Sequence, residues 1–131
     1  MSGAGPDGAA RDGRLFLRVD FDGAGVLGPG KVRLMEAIAE TGSITAAGRR
    51  LGMSYRRAWL LIDALNHLFR APLVEAQRGG EKGGGATLTP LGGQVLARYR
   101  ALEQATLAAA RPHLDALAAD LAPVEGEDRT P

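Results

Sequence analysis

Hydrophobic residues recur along this chain of 131 residues with two different periods, which predict one strand followed by helices. Over Arg14–Phe21, apolar residues occupy alternate positions, as the side chains on one face of a strand do. A glycine-rich turn then extends to Gly30. From Lys31 to Glu40, apolar residues recur every three or four positions, which predicts a first helix that ends at Thr41-Gly42. Its predicted inward positions are Val32, Met35, Ile38 and Ala39.

Two further helices are predicted behind serine residues placed as N-caps. Ser43 and Ser54 suit this position because a hydroxyl oxygen accepts a free backbone N–H of the first helical turn. The second helix is expected over 44–51, with Gly52 ending it, and the third over 55–70. The inward stripe predicted for the third helix is Ala58, Leu61, Ile62, Leu65, Leu68 and Phe69.

The second half of the chain predicts a hairpin and a long helix. Short strands are expected at Leu73–Gln77 and Thr87-Leu88, on either side of a glycine-rich tip. Thr89-Pro90 begins the last helix, since proline is favoured in a first helical turn. Pro112 predicts a kink or break in it, with a weaker helical segment following over 113–121. The compositions of 1–13 and 122–131 predict disordered tails.

The second and third helices have the spacing of a helix-turn-helix. Their connection, Leu51-Gly52-Met53-Ser54, is short, and its glycine is free to adopt a positive φ. The small residues Ala46 and Ala47 allow the two helices to approach closely. The predicted fold is therefore mainly α with a small β-hairpin wing, a winged helix-turn-helix with a long C-terminal helix. Its predicted extent is 14–121 as one domain.

The distribution of charge favours binding to a polyanion. The net charge of the chain is only +1. Residues 43–100, however, carry nine Lys and Arg against three Asp and Glu, a net charge of +6, and the segments on either side are neutral or acidic. Such a basic region suits nucleic acid. A solvated charged face without a ligand is the other interpretation that this pattern allows.

The residues expected to contact double-stranded DNA lie on the second and third helices and in the wing. In a helix-turn-helix, the helix that follows the turn, here the third helix, meets base edges with its first turn. Arginine pairs with guanine there. Arg49 and Arg50 are expected to contact phosphates, as are Arg78 and Lys82 in the wing. Trp59 is assigned to the core or a domain contact, and His67 to the surface. The complete predicted set is Ser43, Thr45, Arg49, Arg50, Ser54, Tyr55, Arg56, Arg57, Arg78 and Lys82.

Other classes of protein find little support. The chain has no cysteine and two histidines far apart in sequence, which argues against a metal site. Residues Gly25–Lys31 fit a phosphate-binding loop, but Val32 stands where that motif needs Ser or Thr, and Pro29 removes one N–H. There is no apolar stretch of membrane-spanning length and no secretory signal. We therefore expect a cytoplasmic protein that is not an enzyme and holds no cofactor or metal.

Two sets of residues resemble known DNA-binding families. Gly42–Ala47 followed by Leu51–Ser54 resembles the LysR-type winged helix-turn-helix. A second combination is similar to the N-terminal DNA-binding domain of the ModE family, the molybdate-responsive transcriptional regulators, over about Arg14 to Leu117. The residues that carry this second resemblance are Ser54–Trp59, Leu73–Glu75, Gly79–Thr89 and Gly92.

The second resemblance implies a function and a partner. In that family the domain is a homodimer, joined largely through its first and last helices, on a palindromic operator near molybdate-transport genes. The chain ends near where the family's paired molybdate-binding domains would begin, and no residue matches its molybdate site. We therefore expect a stand-alone DNA-binding form, or one that works with a separate molybdate-binding protein.

A protein-interaction module that has the winged-helix fold without binding DNA is the alternative function. The alanine-rich segment Ala101–Leu121 favours it, since such a helix can pair with another chain.

Overall fold

The computed structural model describes residues 11–77 and 85–123, and the chain divides into two compact units. The larger unit extends over 16–103 and contains two hairpins, three complete helices and the first half of a fourth. Within the described residues the fold is mainly helical with a small antiparallel hairpin, which confirms the predicted winged helix-turn-helix with a long last helix.

Helix α1 (Pro29–Thr41) buries more residues than any other helix of the larger unit. It begins two residues before the predicted start, because Pro29 occupies the first turn, where a missing N–H costs nothing. It contacts α2, α3 and β4, so its buried arc is wider than one stripe. Ala39, predicted to face inward, is exposed. The buried residues are Val32, Leu34, Met35, Ala37 and Ile38.

The predicted strand at Arg14–Phe21 is wrong in extent. Only β1 (Val19–Asp20) is a strand, and it pairs antiparallel with β2 (Val26–Leu27), which the sequence analysis placed in a turn. The ladder is short because α1 begins directly after β2. The alternation that suggested a long strand reflects packing instead. Leu17 lies against the core, whereas Phe16 on the other side is 71% exposed.

Helices α2 (Ile44–Arg50) and α3 (Tyr55–Leu68) follow as predicted, apart from an earlier end to each. The predicted stripe on α3 faces the core. Three of its members are buried and the other three are half-buried. The residues that the two helices bury are Ile44, Ala47, Gly48, Ala58, Ile62 and Leu65.

The wing consists of β3 (Val74–Gln77) and β4 (Gly85–Leu88), antiparallel and in register from Val74–Leu88 to Gln77–Gly85. Ala86 N–H donates to Gly42 O at 3.0 Å, which attaches the wing to the turn between α1 and α2. Residues 78–84 at the tip lie outside the described residues.

Helix α4 (Pro90–Ala119) begins with the predicted cap, since Thr89 Oγ1 accepts from Gly92 N–H at 2.9 Å. Two of its residues are buried. A Cβ atom built on Gly92 would lie 2.1 Å from Leu73 O, so only glycine fits there without a backbone shift. Tyr99 Oη donates to Leu17 O at 2.6 Å, and burial of the ring raises the pKa of Tyr99 above its ordinary value.

An ion-pair network joins α4 to α1 on the larger unit. Arg100 pairs with Glu36 of α1 and with Glu103 one turn further along α4. The hydrogen bond to Glu36 raises the pKa of Arg100 further above its already high ordinary value, so the guanidinium stays charged. The network therefore fixes the first half of α4 beside α1 at any pH near neutrality.

Of the kink or break predicted at Pro112, the break is wrong, because α4 continues through it to Ala119. A proline in a helix leaves the carbonyl four residues earlier without its usual donor. That residue, Ala108, is exposed, and so is Pro112, so water can satisfy the carbonyl. The weaker helical segment predicted from His113 is thus the end of one helix.

The smaller unit consists of residues near the start of the chain and the second half of α4, from Gln104. Arg11 Nη1 donates to Ala122 O at 2.9 Å. A Cβ on Gly13 would lie 3.0 Å from Leu114 Cδ2, so this segment runs close against the helix. In neither unit does a described helix combine the length and the apolar character needed to cross a membrane.

Candidate nucleic-acid interface

The turn between α2 and α3 is built by backbone hydrogen bonds and a glycine. Met53 N–H donates to Gly48 O at 2.9 Å, and Gly52 N–H donates to Arg49 O at 3.1 Å. Gly52 has φ 71°, the left-handed conformation that favours glycine and that the sequence predicted for it. These bonds fix the end of α2 to the start of α3.

Gly48 and Ala47 are the buried residues of α2 nearest the turn, and Gly48 lies at the contact with α3. Gly48 is buried, and a Cβ placed there would already touch Ala58 Cβ at 3.5 Å and Met53 O at 3.4 Å. Ala46 and Ala47 were predicted at this contact and Gly48 was not. A glycine inside a helix was the signal in the sequence, since it often marks a packing contact.

Ser43 and Ser54 are N-caps, as predicted. Ser43 Oγ accepts from Ala46 N–H at 3.0 Å, and Ser54 Oγ accepts from Arg57 N–H at 3.0 Å. Both oxygens therefore serve the helices first. Each hydroxyl still has its own O–H to donate, and a phosphate oxygen is a suitable acceptor.

The predicted cationic residues lie on the exposed sides of the two helices. Arg49 and Arg50 occupy the last turn of α2, and Arg56 and Arg57 occupy the first turn of α3. Arg50 pairs with Glu40, and both side chains are substantially exposed, so little energy opposes exchanging that partner for a phosphate. Within 11–77 and 85–123, no ion pair involves Arg49, Arg56 or Arg57.

Two other predicted contact positions complete the exposed surface of this helix pair. Thr45 is exposed in the first turn of α2, and Tyr55 is 58% exposed at the start of α3. Arg78 and Lys82, predicted for the wing, lie outside the described residues. The structure thus brings eight of the ten predicted residues onto one helix-turn-helix.

Trp59 does not lie in the core, one of the two places that the sequence prediction allowed for it. It is 37% exposed on α3, one turn after Tyr55, and the two rings meet edge to face with centroids 6.1 Å apart. The core positions of this helix are Ala58, Ile62 and Leu65, and Trp59 stands at the edge of that buried face. His67 lies on the surface beside Asp63, as predicted.

Asn66 is a positioning residue that sequence analysis missed. Its Oδ1 accepts from Leu73 N–H at 2.8 Å and Val74 N–H at 3.0 Å, and its Nδ2 donates to Val74 O at 3.0 Å. One side chain thus binds the start of the wing to α3. Its signal in the sequence was an amide next to the apolar stripe of α3.

The described residues do not form a metal site. Within 11–77 and 85–123, no group of three or more His, Asp or Glu is close enough to bind an ion. The chemistry of this surface is that of exposed guanidinium groups, hydroxyls and aromatic rings on two helices joined by a tight turn. That combination defines a helix-turn-helix of the nucleic-acid-binding kind.

Comparison with known proteins finds a matching family model. Residues 30–93 match the bacterial regulatory helix-turn-helix protein family, lysR family. This segment covers α1, the helix-turn-helix, both wing strands and the first residues of α4. Over these residues the chain is similar to the lysR family, in agreement with its predicted resemblance to LysR-type proteins.

Relatives with a molybdenum-related name share this domain. The chain is 45% identical over 97 residues to the molybdenum-pterin-binding protein MopB of Rhodobacter capsulatus, covering 73% of this chain and 36% of that protein. It is 42% identical over 87 residues to the molybdenum transport protein ModE of Azotobacter vinelandii, covering 66% of this chain and 32% of that protein.

A third relative is named for DNA binding. The chain is 40% identical over 76 residues to the DNA-binding transcriptional dual regulator ModE of Escherichia coli, covering 58% of this chain and 29% of that protein. The chain thus spans about a third of the length of these relatives. The predicted likeness to ModE proteins is confirmed for the helix-turn-helix part.

Proposed function

We propose that this chain is a sequence-specific transcriptional regulator that binds double-stranded DNA as a homodimer. The proposed DNA-contacting residues are those of the exposed helix-turn-helix surface together with Arg78 and Lys82 of the wing. The proposed extent of the DNA-binding and dimerisation domain is 14–121.

The observation that carries this proposal is the first turn of α3. Arg56 and Arg57 are exposed there, without an ion pair inside the described residues, at the end of a helix whose other face is buried. In a helix-turn-helix the N-terminal residues of the second helix contact base edges in the major groove. A guanidinium pairs with the two acceptors of guanine there, a contact that discriminates by about 1–3 kcal/mol.

Dimer formation is proposed because one helix-turn-helix offers few base contacts, and specific affinity usually comes from two half-sites. The second half of α4 is the proposed contact between copies. Its apolar residues are poorly covered in a single chain: Leu117 is 66% exposed, and Leu121 just beyond the helix is 49% exposed.

The regulated genes are proposed to be those of molybdate transport or molybdenum use. The support is the names of the relatives, which include a molybdenum transport protein and a molybdenum-pterin-binding protein. A separate molybdate-binding protein is the proposed partner for a response to molybdate.

Selection of bound duplexes from a random pool, with and without molybdate, tests this function. We expect enrichment of a palindrome whose half-sites lie about 10 base pairs apart, or a multiple of that spacing. We also expect the selected sequence to be the same in both arms. Failure to enrich any sequence would contradict the proposal. A monomer indifferent to DNA at low salt would favour the protein-interaction module instead.

A further inference from the structure

The exposed surface of α3 carries two large rings that its core does not require. Tyr55 is 58% exposed and Trp59 is 37% exposed, and their rings meet edge to face at an interplanar angle of 75°. The residues of α3 that are buried in the core, Ala58, Ile62 and Leu65, lie on the neighbouring face of the helix. The two rings therefore stand at the border between the core face and the exposed face. We refer to Tyr55 and Trp59 as the aromatic pair.

The aromatic pair shares a face with Arg56. Arg56 and Trp59 are three positions apart on α3, so their side chains are neighbours on the helix surface. Leu60, 54% exposed, is four positions from Arg56 and widens the apolar area. Any partner reached by the guanidinium of Arg56 therefore also meets an apolar surface directly beside it.

The next turn of α3 limits how far this surface extends. Asp63 and His67 are exposed on the same side and lie against each other, with Oδ1 and Nδ1 3.4 Å apart. A carboxylate there disfavours close approach of phosphates. The cationic and apolar contacts are thus confined to the first two turns of α3. In a helix-turn-helix, this end of the helix after the turn enters the major groove.

Thymine supplies the apolar group that such a surface needs. In the major groove of DNA, each base pair presents hydrogen-bonding groups, and thymine adds its C5-methyl group. An aromatic side chain is suited to cover that methyl group, whereas it offers guanine or adenine no matching hydrogen bond from its ring face. We propose that the aromatic pair determines specificity by packing on thymine methyl groups next to the base contacted by Arg56.

This inference rests on the proposed function, because it requires α3 to lie in the major groove. It adds a specificity element that the arginines do not provide, since they select guanine or bind phosphate. The selected operator is accordingly expected to have thymine beside the guanine of each half-site.

Replacing thymine by deoxyuridine tests the inference, because the change removes one methyl group and keeps the base pair. Each thymine of a selected duplex is replaced in turn. Wild-type protein is expected to bind about fourfold more weakly for each contacted methyl group that is lost. Trp59→Ala is expected to bind the thymine and deoxyuridine duplexes equally well. Arg56→Ala, a matched variant on the same face, should weaken binding to both duplexes while keeping their ratio.

A second readout separates a binding defect from misfolding. Trp59 is the only tryptophan, so its emission reports on its own surroundings. We expect the emission to shift more on the thymine duplex than on the deoxyuridine duplex. Trp59→Phe, which keeps a ring, should restore part of the methyl sensitivity.

Two results would overturn the inference. One is that wild-type protein binds the selected thymine duplex and each deoxyuridine duplex equally well. DNA binding would then stand, and the aromatic pair would be assigned to another partner. The other is Trp59→Ala that remains folded, by its circular dichroism, and keeps the wild-type ratio. If wild-type protein selects no sequence at all, the proposed function fails, and this inference fails with it.

Discussion

Helices α3 and α4 bury their residues in different ways. In α3, a 14-residue helix, buried positions recur from Ala58 to Leu65, and the other face carries exposed arginines and rings. In α4, a 30-residue helix, the buried residues are Gly92 and Tyr99, both near its start. Helix α3 is thus fixed along much of its length, while α4 is anchored in its first half, by Gly92, Tyr99 and the ion pair of Arg100 with α1. Variants in α4 should therefore change stability, and variants on the exposed side of α3 should change binding.

Gly92→Ala tests the first anchor of α4 and has the largest expected effect. The new methyl group would meet Leu73 O at 2.1 Å, and since that atom is backbone, the start of the wing must shift. We expect the free energy of unfolding to fall by about 3 kcal/mol, measured by chemical denaturation.

Gly93→Ala is the matched control for Gly92→Ala. A Cβ there has no atom within 4 Å, and the residue is exposed inside the helix. The free energy of unfolding of this variant should rise by up to about 1 kcal/mol, because alanine has a higher helix propensity than glycine. Equal effects of the two substitutions would contradict the close approach at Gly92.

Asn66→Ala tests the anchor between α3 and the wing. It removes the acceptor of two backbone N–H groups and the donor to Val74 O. We expect a loss of about 2 kcal/mol in the free energy of unfolding. Amide exchange at Leu73 and Val74 should quicken more than exchange at Ala86.

His67→Ala is the matched control for Asn66→Ala. The side chain of His67 is exposed and, among the described residues, contacts only its own helix. It should leave both stability and exchange in the wing nearly unchanged. Wing exchange that quickens equally in both variants would show that Asn66 is not the link.

Tyr99→Phe tests the second anchor of α4 and has a smaller effect. Loss of the hydrogen bond to Leu17 O should cost about 1 kcal/mol at neutral pH. Burial raises the pKa of Tyr99 in the folded state, so its contribution is complete below the unfolded pKa of about 10 and is lost as pH rises above it. The phenylalanine variant should lose less stability than wild-type protein between neutral and strongly alkaline pH. An identical decline in both would contradict a buried, hydrogen-bonded Tyr99.

Local sequence signals predicted much of the helix-turn-helix. Caps at Ser43 and Ser54 and the turn at Gly52 depend on residues within a few positions, and all three were found as expected. Contacts between distant segments were not predictable in this way. Nothing near Gly92 in the sequence shows that Leu73 O will lie against it, and nothing near Asn66 shows which backbone groups it will bind.

The outward position of Trp59 was missed for a related reason. A lone tryptophan is usually an efficient core residue, and its place depends on which face of α3 the rest of the fold covers. That face is set by contacts of α3 with α1, α2 and β3. The length of β1 was likewise decided by its two-residue partner.

Binding of a selected duplex by arginine variants at fixed salt is the most direct test of the central claim. Arg56→Ala and Arg57→Ala remove exposed charges from the first turn of α3, and Arg18→Ala removes one exposed charge from the segment before α1. At least one α3 variant should lose the preference for selected over random duplex by about 1–3 kcal/mol, while Arg18→Ala keeps it. Unchanged preference in both α3 variants would contradict the assignment of α3 as the helix that contacts the bases.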